Sequence, residues 1–527
     1  MIHILITDEL EQSGLDRLAA AENVQFDIKT GLSKKELITI IPKYDAIVLR
    51  SGTQIDADVI KAAKNLKVLG RAGIGVDNID IRAATMNGVI VMNTPQANSI
   101  AKAEYSIALM LAISRFIPQS HTLVQNGNWA RSPFTGDQLY RKVLGLIGFG
   151  RIARLITKRV QAFGMEVIAY APVVSEEIGR EYNITLVDLD DLFAQSNFIS
   201  LHTALIPETD MIINAEHIQQ MKDGVYIINT ARGRLIDESA LADALKTGKV
   251  CAAAIDVYTQ EPPIDNPLIG LPNVIHTPHI GDYTNEAQRD VAAQTVDQVL
   301  DAINGTDFRN AINLPYPAGP EFTFMRPYME LGAKLGLMQA RLANGPIRKI
   351  EIDVRGEMGD DLIRPIAAGV LKGLLETSFA DTVNFINAPM LAEENGIAVS
   401  RVKGIGQVDY PNIILCRVHW ENGERLLGGV LFADGEPRIV QIDDYQLEAK
   451  PEGCVLVMFN KDVPGVVGQV GTLLAAYEVN IGEWRMGRQR PGDVALSFIN
   501  VDSEPPAVVL DALARITAVT EVRLVSL

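Results

Sequence analysis

The chain has 527 residues, with 48 Lys and Arg against 65 Asp and Glu and a formal net charge of −17. At roughly 150 residues per domain this length excludes a single core, and the acidity would repel a phosphate backbone or an anionic membrane surface, so neither nucleic acid nor membrane is expected and the expected partner is a small molecule. Cys251, Cys416 and Cys454 cannot form a disulfide framework or a structural zinc site, and Met1-Ile2-His3-Ile4 shows no basic leader, so the chain is expected to be soluble and cytoplasmic, with no metal.

From Ile2 to about Asn310, short β-branched runs alternate with amphipathic stretches. They include Ala46 to Leu49, Val68 to Gly70, Val89 to Val91, Val143 to Ile147, Glu166 to Tyr170, Phe198 to Leu201, Val225 to Asn229 and Val274-Ile275. Near-continuous apolar runs separated by helical crossovers predict buried parallel strands and a doubly wound α/β architecture. Between one such strand and a helix expected over 151–163 stands Gly148-Phe-Gly150-Arg151-Ile152-Ala153, a G-x-G-x-x-A spacing. Small residues there permit a tight turn and close backbone approach, so that helix N-terminal amides can receive a pyrophosphate. The following strand ends in Ala171-Pro172, where a nicotinamide dinucleotide site places a carboxylate for the adenosine ribose. Loss of that charge-assisted hydrogen bond costs on the order of 1.5–3 kcal/mol, an expected loosening of NAD by about ten- to a hundredfold. No arginine follows to select NADP.

Three downstream segments each carry one residue of suitable chemistry: Asn229-Thr230-Ala231-Arg232-Gly233, Ile255-Asp256-Val257 leading to Glu261-Pro262, and Thr277-Pro278-His279-Ile280-Gly281. Reversible oxidation of a 2-hydroxy acid needs a cation for the carboxylate and a base for the hydroxyl proton. Arg232 suits the first role because a guanidinium grips a carboxylate bidentately and keeps its charge. His279 suits the second, since imidazole titrates near working pH, and Glu261 would orient the ring.

Asn313-Leu-Pro315-Tyr-Pro317-Ala-Gly319-Pro320 reads as an extended connector. Beyond it, Leu331, Leu335, Met338 and Leu342 predict a helix over 327–342, after which strands are expected at 349–355, 413–420 and 430–433. A second break falls at Lys450-Pro451-Glu452-Gly453. The remainder follows a β-α-β-β-α-β order, 454–459, 465–477, 480–486, 494–501, 506–516 and 519–525, which is the ferredoxin-like pattern.

Gly148-x-Gly150, Asn229 to Gly233, Ile255 to Val257, Glu261-Pro262, Thr277 to Gly281 and Arg71-Ala-Gly73-Ile-Gly-Val-Asp77-Asn78 together resemble the D-isomer-specific 2-hydroxyacid dehydrogenases. The resemblance spans the first 310 residues and implies that Arg232 binds the substrate carboxylate while His279 and Glu261 form the acid–base pair. It further implies that Gly148, Gly150, Arg151, Ile152, Ala171, Thr203, Thr230, Ala231, Asp256 and Gly281 hold NAD, and that Gly73 and Asn98 contribute to the substrate site. In that family residues 1–97 plus 290–312 would form a substrate-binding lobe and 98–289 the NAD-binding domain, as two Rossmann-like lobes. Val383 to Pro389, Glu436 to Asp443 and Pro451 to Gly453 resemble the intervening domain of long D-3-phosphoglycerate dehydrogenases, here 320–450. Asn460 to Gly465 with Val479 to Ile481 resembles an ACT regulatory module, here 452–527. The implied reaction is oxidation of 3-phosphoglycerate to 3-phosphohydroxypyruvate, with a homotetramer as the implied assembly.

A phosphorylated substrate needs further cations, for which Arg50 and Arg71 at predicted strand ends are the candidates, joined by Arg131 from a neighbouring subunit. Asn460, Asp462 and Asn480 are candidates for L-serine as an effector of the ACT module. Arg234, Asp282 and Tyr283 depart from the small residues usual in the family. They leave open a dehydrogenase for another 2-hydroxy acid, and the missing acid at Ala171 leaves open a non-catalytic ligand sensor.

Overall fold

A strand covered on both faces buries every side chain, and alternate residues then join different cores. Ile4 and Ile6 pack on one face of the N-terminal sheet and Leu5 on the other. The computed structural model describes residues 1–316, 321–357, 359–379, 382–404, 409–433 and 435–527. Two compact units are formed, one by 1–10, 15–93 and 295–527, the other by 11–14 and 94–294.

In the first unit, a five-stranded parallel sheet runs in the order Val24–Ile28, Ile2–Ile6, Ala46–Leu49, Val68–Arg71, Ile90–Met92. Val296 and Val299 of the helix Asn285–Ile303 cover one of its faces. The same unit contains a six-stranded sheet whose central strands are Lys349–Gly356, Asn412–Trp420 and Gly423–Leu431, with Ala398–Gly404 added in parallel at one edge. Two long helices, Glu321–Leu342 and Ile363–Phe379, supply its apolar cover. Glu321–Leu342 begins six residues before the predicted start, because burial of Met325 and Met329 outweighs the hydrogen bond lost at Pro327. Of the predicted connector, residues 317–320 lie outside the described residues.

The C-terminal module follows the expected order closely: Cys454–Lys461, Val466–Ala476, Ile481–Arg488, Val494–Val501, Ala507–Ala514 and Val519–Ser526. Leu456 and Met458 pack beneath its helices, whereas Val455 and Val457 join the core of the six-stranded sheet.

The second unit is a seven-stranded parallel sheet ordered Val274–His276, Val250–Ile255, Val225–Asn229, Phe198–Leu201, Val143–Ile147, Glu166–Tyr170, Thr185–Leu186. The order reverses between Val143–Ile147 and Phe198–Leu201, and in such sheets ligands bind beyond the carboxyl ends of the strands at that switch. No helix among the described residues is long and apolar enough to cross a membrane, and none of their His, Cys, Asp and Glu clusters could hold a metal ion.

Candidate active site

Every site residue predicted in the second unit except Asn98 and Arg131 follows the carboxyl end of one of its strands or starts the helix after it. Ile147 leads to Gly148, Leu201 to Thr203, Asn229 to Arg232, Ile255 to Asp256 and His276 to His279. The turn carrying His279 is built around Asp256, which is fully buried. One carboxylate oxygen of Asp256 accepts from Thr277 Oγ1 at 2.6 Å and from the Ile280 amide at 2.9 Å, and the other accepts from the Gly281 amide at 3.0 Å. His279 itself has φ +54° and donates its amide to the Asp256 carbonyl at 2.9 Å. A left-handed non-glycine residue is disfavoured, and charge-assisted hydrogen bonds on both sides offset that cost. Asp256 therefore positions the turn that bears His279.

His279 Nδ1 lies 2.8 Å from Glu261 Oε2, and Glu261 Oε1 accepts the Tyr258 amide at 3.1 Å. Burial pushes the Glu261 carboxyl upward, but its hydrogen bond with His279, the His279 charge, the Tyr258 amide and the Arg232 charge together hold it below the ordinary carboxylate range. Arg232 thus lies within electrostatic reach of the His–Glu pair. Its loop is shaped by Asn229, whose side chain donates to the Arg232 carbonyl at 2.9 Å and accepts from the Ala231 amide at 3.0 Å. Buried Ser106 and Thr230 share a hydrogen bond at 2.9 Å. At Gly233 a Cβ would lie 1.9 Å from the Tyr258 carbonyl carbon, so only glycine lets this loop close on the segment that leads to Glu261. Asn229 and Ser106 carry no chemistry of their own, and a motif reading has no signal for them beyond Asn229's place at a strand end.

The nucleotide turn has the features a dinucleotide requires. Gly148 has φ +91°, and a Cβ there would meet the His202 carbonyl oxygen at 2.7 Å. Gly150 caps the helix Arg151–Val160 without any side-chain hydrogen bond, and nothing lies within 4 Å of where its Cβ would be. The first-turn amides at Arg151 and Ile152 have no acceptor within the helix, as at any helix N-terminus, and so suit an anion. Ala171 ends its strand with no carboxylate, and Val173 beyond it is 96% exposed.

Other expected residues are placed differently. Asn98 is buried, its amide donates to Asp282 Oδ2 at 2.5 Å, and its own carbonyl oxygen has no hydrogen-bond partner. Arg234 pairs with Asp210. Arg131 lies over the ring of the exposed Trp129 at 5.9 Å. In the first unit, Arg50 and Arg71 follow and end neighbouring strands, with Leu49 paired to Arg71, and a Cβ on Gly73 would collide with the Arg71 guanidinium. Asp8 and Asn78, absent from the predicted set, hold the Arg50 backbone through bonds of 2.7 Å each.

The three effector candidates do not converge within the chain. Cys454–Lys461 and Ile481–Arg488 both pair antiparallel with Val494–Val501 and so run parallel to each other. Asn460 near the end of Cys454–Lys461 and Asp462 just beyond it stand at one end of the sheet, while Asn480 precedes the start of the other strand, at the opposite end. Asn460 is buried and bonded to Lys461 and Ser497, and Asp462 accepts from Arg488 and the Gly492 amide. Asn480 donates to Asp502.

Residues 107–281 match the family model of the D-isomer specific 2-hydroxyacid dehydrogenase NAD binding domain, and residues 324–443 match the D-3-phosphoglycerate dehydrogenase intervening domain. A D-3-phosphoglycerate dehydrogenase of Archaeoglobus fulgidus is 39% identical over 99% of this chain and all of its own length. One from Synechocystis is 37% identical over 100% of this chain and 95% of its own. Among solved structures, the D-lactate dehydrogenase of Aquifex aeolicus complexed with NAD and lactic acid is 28% identical with a TM-score of 0.54, covering 57% of this chain and 96% of that one. A glyoxylate reductase from Paecilomyes thermophila is 30% identical with a TM-score of 0.55, covering 61% and 98% respectively.

Proposed function

The chain belongs to the D-isomer-specific 2-hydroxyacid dehydrogenases, in their D-3-phosphoglycerate dehydrogenase branch, and from that premise we infer that it oxidises 3-phospho-D-glycerate to 3-phosphohydroxypyruvate with NAD, the first step of L-serine synthesis. The observation that carries the reading is the 2.8 Å contact of His279 Nδ1 with Glu261, a carboxylate that also feels the charge of Arg232. NAD, when bound, supplies the acceptor for the hydride that leaves C2. His279 takes the C2 hydroxyl proton at Nε2, the nitrogen left free by Glu261. Ionised Glu261 fixes the ring and stabilises the imidazolium that forms. Arg232 grips the C1 carboxylate and so orients C2.

Gly148, Gly150 and the amides of Arg151 and Ile152 receive the pyrophosphate in this reading, with Thr203, Thr230 and Ala231 bordering the cofactor. Arg50 and Arg71 take the substrate phosphate, with Arg131 contributed by a second copy. The lobe formed by 1–97 and 290–312 is the substrate lobe, 98–289 the NAD-binding domain, 320–450 the intervening domain and 452–527 an ACT module that receives L-serine in a homotetramer. Exposed Val467, Tyr477, Met486 and Val508 on that module support an assembly surface. Because Asn480 is set apart from Asn460 and Asp462, a serine site using both ends of the sheet needs two copies of the module.

The test follows NAD reduction with 3-phosphoglycerate in wild type and His279→Ala. Replacement should lower kcat by about 10²–10⁴-fold, the usual worth of a general base. Undiminished turnover would remove the base assignment.

A further inference from the structure

Apart from the dehydrogenase site, the first unit contains a cavity of about 310 Å³ lined by Tyr316, by Asp361 and Arg364 at the start of the helix Ile363–Phe379, and by Arg401 of the strand Ala398–Gly404. Its floor is apolar, with Ala368 and Leu371 fully buried or nearly so. Three properties set it apart from an accidental cleft. Neither Arg364 nor Arg401 has a carboxylate at ion-pair distance among the described residues, whereas Arg17, Arg82, Arg234, Arg326, Arg417 and Arg523 each do. Tyr316 is only 8% exposed, yet its hydroxyl has no hydrogen-bond partner among those residues, and burial pushes its pKa above the phenol range. Finally, the cations come from different elements, a helix and a strand, that the fold brings to one hollow.

We propose that this cavity binds a small organic anion, its carboxylate or phosphate held by Arg364, Arg401 and the Tyr316 hydroxyl, and its short apolar part resting on Ala368 and Leu371. Guanidinium forks match both head groups bidentately, and a volume at the lower end of ligand pockets limits the guest to a small metabolite. Asp361 is the opposing charge at the rim and disfavours a second negative group on its side.

The experiment titrates the full-length protein with two probes, inorganic phosphate and n-butyrate, by ligand-observed NMR. Arg364→Gln and Arg401→Gln alter exposed side chains and leave the core intact, and Tyr316→Phe removes only the hydroxyl. At least one probe should bind saturably, with Kd raised tenfold or more by either arginine substitution and several-fold by Tyr316→Phe. Binding should persist in Arg50→Ala and Arg232→Ala, and which probe binds identifies the head group. Binding lost in Arg50→Ala or Arg232→Ala but retained in Arg364→Gln and Arg401→Gln would place the anion in the dehydrogenase site and overturn the proposal. Absence of saturable binding by both probes would overturn it equally.

Discussion

Asp256 illustrates how a residue that need not touch the reacting atoms can set their geometry. Its carboxylate is fully buried and is the common acceptor for Thr277, Ile280 and Gly281, so the left-handed His279 between them has little freedom. A neighbouring residue shows the energetic side of the same construction. Burial, followed by the charge of Lys102, lowers the pKa of His202 from 6.5 to about 3, and its Nε2 lies 2.7 Å from Ser200 Oγ. Folded His202 is therefore neutral between those two values, whereas unfolded His202 binds a proton below pH 6.5. The unfolded state gains protons first, so acidification from about pH 6.5 toward about 3 costs stability, by about 1.4 kcal/mol for each unit at most. Replacement by a residue that does not titrate removes this slope. The urea midpoint of wild type should fall relative to that of His202→Gln as pH drops from 7 to 4.5, and midpoints that decline in parallel would refute the argument.

At the scale of elements, the helices Glu321–Leu342 and Ile363–Phe379 cross with their backbones in close approach. A Cβ on Gly373 would lie 1.8 Å from the Ala333 carbonyl oxygen, and one on Gly336 would lie 1.9 Å from that of Val370. Gly373→Ala should destabilise the first unit by about 1–3 kcal/mol, since overpacking against backbone outweighs the gain of about 1 kcal/mol in helix propensity. A raised or unchanged melting midpoint would count against it. The second of these helices was invisible to a periodicity argument because its residues 365–371 are all buried, which leaves no polar face to mark a period. The C-terminal strands were legible for the opposite reason, with turns that separate each element and apolar positions that alternate. Residues 398–404 and 445–449 form edge strands whose half-exposed pattern resembles loop. In the second unit, strand-end motifs singled out Arg232, Glu261 and His279 because each follows the carboxyl end of a parallel strand. Supports such as Asn229 and Ser106, and the separation of Asn480 from Asp462, depend on loop closure and strand direction, which no local spacing encodes.

At the scale of the whole molecule, the net charge of −17 repels anions in general, and Arg364 and Arg401, two cations brought to one cavity, make a local exception. An effector acts only if it prefers one arrangement of the molecule over another. L-serine added to the enzyme at near-KM 3-phosphoglycerate should lower the rate or change the assembly state, measured by steady-state kinetics and light scattering together. No change in either would remove serine from the reading. The interruption of the first unit in sequence also imposes an order in time. The sheet that ends at Met92 leaves Ile4, Ile6, Val48 and Val68 without the cover that Val296 and Val299 provide. Those valines are translated about 200 residues later, roughly 10–40 s at ribosomal speeds of about 5–20 residues per second. A nascent chain therefore carries one adhesive sheet face through synthesis of the entire second unit, and translation pauses before residue 296 lengthen the interval in which a chaperone must shield it.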